Sequence, residues 1–210
     1  MISSSDLNTV MRAISSSLQT PVVIVLLCFV VYTLVQAGTL VAEGLTERRC
    51  LNVWLPQLID ELKKQADPPA VCIRRSGLLK RQKAALIEVT DHKELTDSMR
   101  EAMAVRLIDE QQARYQTIIK STDLVIKLGP VFGLLGTLIP LGPGIIALGQ
   151  GDTYTLSGSL LTAFDTTVLG LICAAVCTVI SMIRKRWYAN DMSMMEALME
   201  CVLEVEKNHA

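Results

Sequence analysis

Lys127-Leu-Gly-Pro-Val-Phe-Gly-Leu-Leu-Gly-Thr137-Leu-Ile-Pro-Leu-Gly-Pro-Gly-Ile-Ile-Ala-Leu148 is an apolar run carrying one hydroxyl near its middle. At about 1.5 Å per residue, a helix of this length crosses a hydrocarbon core of roughly 30 Å. A second run, from about Gly158 to Ile183, has a single formal charge, Asp165, and a threonine of its own, Thr167. It ends in Arg184-Lys185-Arg186 and then Trp187-Tyr188, the basic anchor and aromatic belt expected where a span reaches the cytoplasm. The loop between the runs, 149–157, has no lysine or arginine. Two buried hydroxyls facing a shared path suggest ion conduction.

A third apolar run, from Pro21 to Val41, has Gln36 as its most polar member. It is too long for a cleaved signal peptide, whose apolar core is about 7 to 15 residues. Of the 20 Lys and Arg in the 210 residues, 15 fall between Glu43 and Lys127. The positive-inside tendency then makes 43–124 cytoplasmic. The expected organisation is an extracytoplasmic segment 1–20, spans at 21–42, 125–148 and 158–183, an outer loop 149–157 and a cytoplasmic C-terminal helix 184–210. The fold class is an all-α integral membrane protein with three transmembrane helices and long cytoplasmic helical extensions, multi-pass in the cell membrane.

Half the residues are apolar and the formal net charge is -1, so there is no electrostatic case for a nucleic-acid partner. Six cysteines are scattered over cytoplasmic and membrane segments. Cys173 and Cys177 lie one helical turn apart, but without histidine or further thiols nearby they read as packing residues, and no metal site or cofactor is expected. His92 and His209 sit in charged segments away from any nucleophile, and no phosphate loop is present, so the chain does not read as an enzyme.

In the cytoplasmic portion, Leu51, Trp54, Leu55, Leu58, Ile59 and Leu62 predict an amphipathic helix over Glu47 to Ala66. Asp67-Pro68-Pro69 breaks it, and Asp67 to Gly77 reads as linker. From about Leu78 the apolar periodicity continues without a proline to Leu128, which predicts one long helix rising into the second span. Lys80-Arg81-Gln82-Lys83 reads as a solvated helix face.

Within the membrane, Gly129, Gly133, Gly136 and Gly144 let helix backbones approach closely. Pro140 leaves the carbonyl of Gly136 without its usual helical donor, and Pro143 acts similarly nearby, which predicts a locally opened helix beside a cavity. Thr137 and Thr167 fall at nearly the same depth on antiparallel spans. A membrane threonine can equally satisfy its hydroxyl on the carbonyl one turn back, with no functional meaning.

Pro130-Val-Phe-Gly-Leu-Leu-Gly-Thr137, followed by Ala163-Phe-Asp-Thr-Thr167-Val-Leu-Gly-Leu171, resembles the signature of the MotA/TolQ/ExbB proton-channel family. Three spans rather than four resemble its ExbB and TolQ branch. The resemblance implies a proton-driven motor subunit of the inner membrane, a homopentameric ring around the single-span helices of an ExbD-, TolR- or MotB-like partner dimer. It implies that Thr137 and Thr167 line the proton route, with Gly133, Gly136, Pro140 and Gly170 packing the pore helices. Where ExbB and TolQ carry a membrane glutamate this chain has Thr162, and Asp165 follows three residues later. An ionisable group inside a span is functional by default. Asp165 lies about 160° around the helix from Thr167, towards Leu169, Ile172 and Val176. Three roles stay open for it: a protonated structural residue, a cation ligand in the outer vestibule, or a relay in place of the glutamate. A sodium site would need several converging oxygens, so proton coupling is the expectation. The reading from another class is a non-conducting oligomeric scaffold, in which both threonines could be replaced.

Overall fold

A computed structural model of the chain describes residues 4–46, 71, 73–74, 76, 78, 80–91 and 96–207. These residues form the helices α1 (Ser4–Thr46), α2 (Lys80–Asp91), α3 (Asp97–Gly149) and α4 (Thr153–Lys207), with no strand among the described residues. Three of them, α1, α3 and α4, contain stretches long and apolar enough to cross a membrane. Their outer faces carry Ile24, Leu27, Val31, Leu34 and Val35 on α1, and Leu161, Phe164, Val168 and Met182 on α4, all more than half exposed. So much contiguous apolar surface suits lipid and not water. The amphipathic helix expected over Glu47 to Ala66 lies outside the described residues.

The chain divides into two compact units. The first comprises Met1–Gly38 and Lys120–Met182. Here α1 meets α3 through Phe29 and Phe132, whose ring centroids are 5.8 Å apart in an edge-on arrangement. Cys173 and Cys177 pack on Val125, with Phe29, Val30, Tyr32 and Ile126 around them. On α4 the buried positions Ala163, Thr166, Gly170, Cys173, Cys177 and Ile180 recur every three or four residues, so one narrow stripe faces the neighbouring helices and the rest faces outward.

The second unit comprises Thr39–Ile119 and Ile183–Ala210. It has its own core, in which Leu86 and Val89 of α2 meet Ala104 of α3 and Leu198, Met199 and Val202 of α4. Ile73 is 1% exposed in this core and Ser76 is also buried, its Oγ donating to the carbonyl of Ile73 at 2.6 Å. The stretch read as a linker therefore contributes to the core; burying an isoleucine is worth about 1.5–3 kcal/mol, a good reason for the chain to hold it there. Tyr115 and Tyr188 stack with centroids 4.2 Å apart.

The single helix expected from Leu78 to Leu128 is two helices. Thr96 is not helical, and its carbonyl accepts from the amides of Met99 and Arg100 at 2.9 and 3.0 Å, so Thr96-Asp97-Ser98 begins a new helix in the manner of an N-cap. The periodicity survives the junction because both helices bury their apolar faces in one core. The prolines of α3 also act otherwise than expected. The helix does not open at Pro140 and Pro143 but stays helical from Asp97 to Gly149.

Arg184 is only 2% exposed. Its Nε lies 3.3 Å from Glu43 Oε2, and its Nη2 donates to Thr39 Oγ1 at 2.9 Å and to Glu43 Oε1 at 3.4 Å. Of the three consecutive basic residues only Lys185 and Arg186 are exposed, so the first serves the fold. Truncating Glu43 to alanine should cost about 3 kcal/mol, the scale for stranding one member of a buried pair. Glu43→Gln, which keeps a hydrogen-bond acceptor, should cost less. Thermal unfolding in detergent checks the order; equal midpoints for Glu43→Ala and the parent protein would mean that water already screens the pair.

Candidate functional site

The site is built on the antiparallel contact of α3 and α4 within the first unit. Glycines set how close the two helices come. A Cβ on Gly129 would lie 2.8 Å from the carbonyl oxygen of Gly170, and one on Gly170 would lie 2.5 Å from the carbonyl oxygen of Gly129. A Cβ on Gly133 would sit 3.4 Å from the Cα of Thr167, and one on Gly136 would sit 2.6 Å from the Cβ of Thr166. Backbone meets backbone along this seam, the kind of approach that only small residues permit.

The register follows from those contacts. Gly136 opposes Thr166, and because the helices are antiparallel the next residue of each, Thr137 and Thr167, lies about 3 Å from the other along the axis, within one helical turn. Thr167 Oγ1 donates to the carbonyl of Gly133 at 3.3 Å, across the two helices. In an α-helix that carbonyl also accepts the amide four residues on, which belongs to Thr137. The two threonines are thus joined through a single peptide oxygen. Thr137 Oγ1 itself donates to the carbonyl of Leu134, one turn back, at 2.7 Å. Each hydroxyl has spent its proton on a carbonyl and keeps lone pairs with which to accept a bond from water.

Thr162 and Thr166 share the same helix face as the seam. Thr162 Oγ1 donates to the carbonyl of Gly158 at 3.0 Å, and Thr166 Oγ1 donates to that of Ala163 at 2.9 Å. Thr166 is 6% exposed and central to the contact, whereas Thr167 is half-buried at its side. Ala163 and Ala174, one or two turns from Thr167, are buried, but Leu171 is 52% exposed, so the seam centres on the side of Thr166. The spacing of Ala163, Thr166, Gly170 and Cys173 is the signal that could have found it.

Asp165 is exposed, on the side of α4 that carries Leu169, Ile172 and Val176, which are also exposed. It is not brought together with Thr137 or Thr167 in the single chain. Pro140 lines a cleft at the loop end of the seam rather than the glycine contact itself. At the other end, Ser181 Oγ donates to Asp123 Oδ1 at 2.8 Å, and Tyr32 donates to Ser121 Oγ at 2.8 Å. These four polar residues escape a reading of motifs because each is ordinary in its own segment. Among the described residues, no three of His, Cys, Asp and Glu converge as a metal site would need.

The arrangement can order water. It presents hydroxyls and peptide oxygens at one depth of a tightly closed helical hairpin, without a fixed charge to trap a proton. No curated protein matches the chain. The MotA/TolQ/ExbB proton channel family matches residues 73–197, which takes in α2, α3, the loop and most of α4. With more than half its length matched, and with the glycine and threonine seam inside the matched region, the chain belongs to the MotA/TolQ/ExbB proton channel family.

Proposed function

We propose that the chain is the ring-forming subunit of a proton-motive-force-driven motor of the ExbB and TolQ kind. Five copies surround the helices of a single-span ExbD- or TolR-like partner dimer, in the inner membrane, with the N-terminus outside and the C-terminus cytoplasmic. Protons pass between ring and partner, and the work is done on the cell envelope. The observation that carries this reading is the bond from the Thr167 hydroxyl to the carbonyl of Gly133, one helical turn before Thr137. Hydroxyls so held can organise water beside a carboxylate on the partner helix, accepting from it without changing charge.

Three spans rather than four support the ExbB and TolQ branch over MotA. Gly133, Gly136 and Gly170 hold the pore helices in register, and Pro140 shapes their outer end. Thr162 stands where relatives carry a glutamate, and hydrogen-bonded water takes over that position. Asp165 faces a neighbouring copy in the ring, on the side of α4 away from Thr167. Each proton crossing brings about 2.3 kcal/mol per 100 mV of potential, enough for small rotational steps.

The reading is tested by proton flux into liposomes holding the chain together with a single-span partner encoded beside it, against the chain alone. Potential-driven flux that requires both proteins is the expected result. An intact, verified complex with no flux above empty liposomes would make the chain a non-conducting scaffold, in which the seam packs helices and nothing more.

A further inference from the structure

At the loop end of the first unit lies a cleft of about 330 Å³, lined by Gln19, Pro140, Pro143, Tyr154, Ser159 and Thr162 together with their neighbours Thr155 and Gly158. It therefore draws on all three apolar helices of a single chain. On α4, Thr155, Ser159, Thr162 and Thr166 follow one another at intervals of four, three and four residues, so their hydroxyls form one row leading from the loop down to the glycine seam. Facing that row, α3 presents Gly144, where a Cβ would come within 3.1 Å of Ser159, then Pro143, Pro140 and Gly136. Two of these are prolines, and a proline cannot donate an amide proton to the carbonyl four residues before it. The carbonyls of Gly136 and Ile139 thus lose their ordinary helical donor beside the cleft. The lining is mixed, with apolar surface predominating, and its polar groups are Gln19 and the hydroxyls of Tyr154, Thr155, Ser159 and Thr162, with no basic side chain among the described residues.

Beside the cleft lies a carboxylate. Asp152 precedes α4 and accepts from both the amide and the hydroxyl of Thr155, itself a lining residue. Those bonds, the hydroxyl's first, hold the Asp152 carboxyl below its usual range, so it is anionic at neutral pH. It also occupies the N-terminus of α4, where free amides would otherwise favour an anion.

We infer that this cleft is a cation-selective aqueous antechamber inside each subunit, bringing water and hydrated monovalent cations, hydronium included, from the loop side to Thr162 and the seam beyond. It deepens the proposed function and rests on it for its purpose, since it supplies the outer half of the path that ends at Thr137 and Thr167. A row of hydroxyls and freed carbonyls takes the place of the missing carboxylate. Such a row relays protons through water without binding them.

Hydration can be tested without any flux. Single cysteines are introduced by Tyr154→Cys, Ser159→Cys, Thr162→Cys and Phe164→Cys, with Cys50, Cys72 and Cys28, the exposed native thiol among the described residues, replaced by serine. Tyr154 is 89% exposed and reports which face of the membrane the loop occupies; Phe164 is 67% exposed on the lipid-facing side. Membranes holding the assembled protein are treated with a trimethylammonium methanethiosulfonate or its sulfonate counterpart. The thiolate attacks the reagent's sulfenyl sulfur, forms a mixed disulfide and releases methanesulfinate, and labelling is scored by mass. Ser159→Cys and Thr162→Cys should react from the same face as Tyr154→Cys, and their cation-to-anion rate ratio should exceed that of a small thiol in solution by about tenfold, the lower end of what a focused field achieves. Asp152→Asn should reduce that preference while leaving both sites reactive.

The inference falls if both cleft variants label no faster than Phe164→Cys, which means that lipid fills the cleft, or if their cation-to-anion rate ratio is no higher than that of the small thiol in solution. Labelling as expected in a complex that carries no proton current would sink the motor reading and leave the cleft standing; unlabelled cleft positions in a conducting complex would sink the cleft alone.

Discussion

Gly170→Ala is expected to open the α3–α4 seam and leave little assembled protein. The added Cβ would sit 2.5 Å from the carbonyl oxygen of Gly129 and 3.1 Å from the Cα of Gly133. Both are backbone atoms of a continuous helix, so no side chain can rotate aside. Relief requires the helices to separate, and that separation lengthens every contact from Gly129 to Gly136 at once. Overpacking a tight interior costs about 1–3 kcal/mol, and the upper end applies where the obstacle is backbone. Lipid makes matters worse, because acyl chains solvate separated helices as well as they solvate joined ones, leaving close packing as the main attraction.

The neighbouring glycines should form a graded series. Gly129→Ala meets the carbonyl of Gly170 at 2.8 Å and should be somewhat milder; Gly133→Ala meets its nearest neighbours at 3.4 Å and should be mildest. Gly38 of α1 has nothing within 4 Å of its would-be Cβ. There alanine should gain up to about 1 kcal/mol, the difference in helix propensity. Yield of assembled complex and thermal midpoint in detergent, measured for all four, decide the matter. A Gly170→Ala protein that melts with the parent would show that the seam can relax without loss.

The order of that series could not be taken from the sequence, although the glycines could. Spacings of three and four residues announce that one face of a membrane helix is small, but not which partner helix it meets or in what register. The long apolar runs around Thr137, around Thr167 and after Pro21 were legible because a bilayer demands length and apolarity together, and few other environments do. The outward direction of Asp165 was legible from helical geometry alone, since it depends only on residues of its own helix. The bond from Thr167 to Gly133 was not, because it joins residues 34 positions apart. The same holds for Arg184, which looked like one of three interchangeable cytoplasmic cations until Glu43 and Thr39 were found around it. Proline is the strongest breaker that a sequence shows, yet α3 runs through its prolines, and the polar cap at Thr96 divides the helix without interrupting the apolar periodicity.

Thr167→Val is expected to abolish most proton flux while the complex assembles normally. Valine has the shape of threonine and keeps the branched Cβ against the seam, so packing is nearly unchanged. The carbonyl of Gly133 loses one donor but retains the amide of Thr137 through the helix, so no peptide oxygen is stranded; the cost to stability should be about 0.5–1.5 kcal/mol, that of one ordinary hydrogen bond. Flux should respond far more, because a methyl group beside a file of water removes an oxygen that accepts from it. A loss of about 1.4 kcal/mol of stabilisation at the highest barrier already slows passage about tenfold, and interrupting the file should exceed that. Thr167→Ser restores the hydroxyl without the methyl and should recover flux, even though it packs less well. Thr137→Val removes only a bond within one turn, to Leu134, and therefore should leave stability almost untouched while flux falls as it does for Thr167. Flux and assembly thus separate under this reading and move together under the scaffold reading. If Thr167→Val and Thr167→Ser conduct alike at full rate in intact complexes, the hydroxyls belong to the packing of α3 on α4 and the proton takes another path.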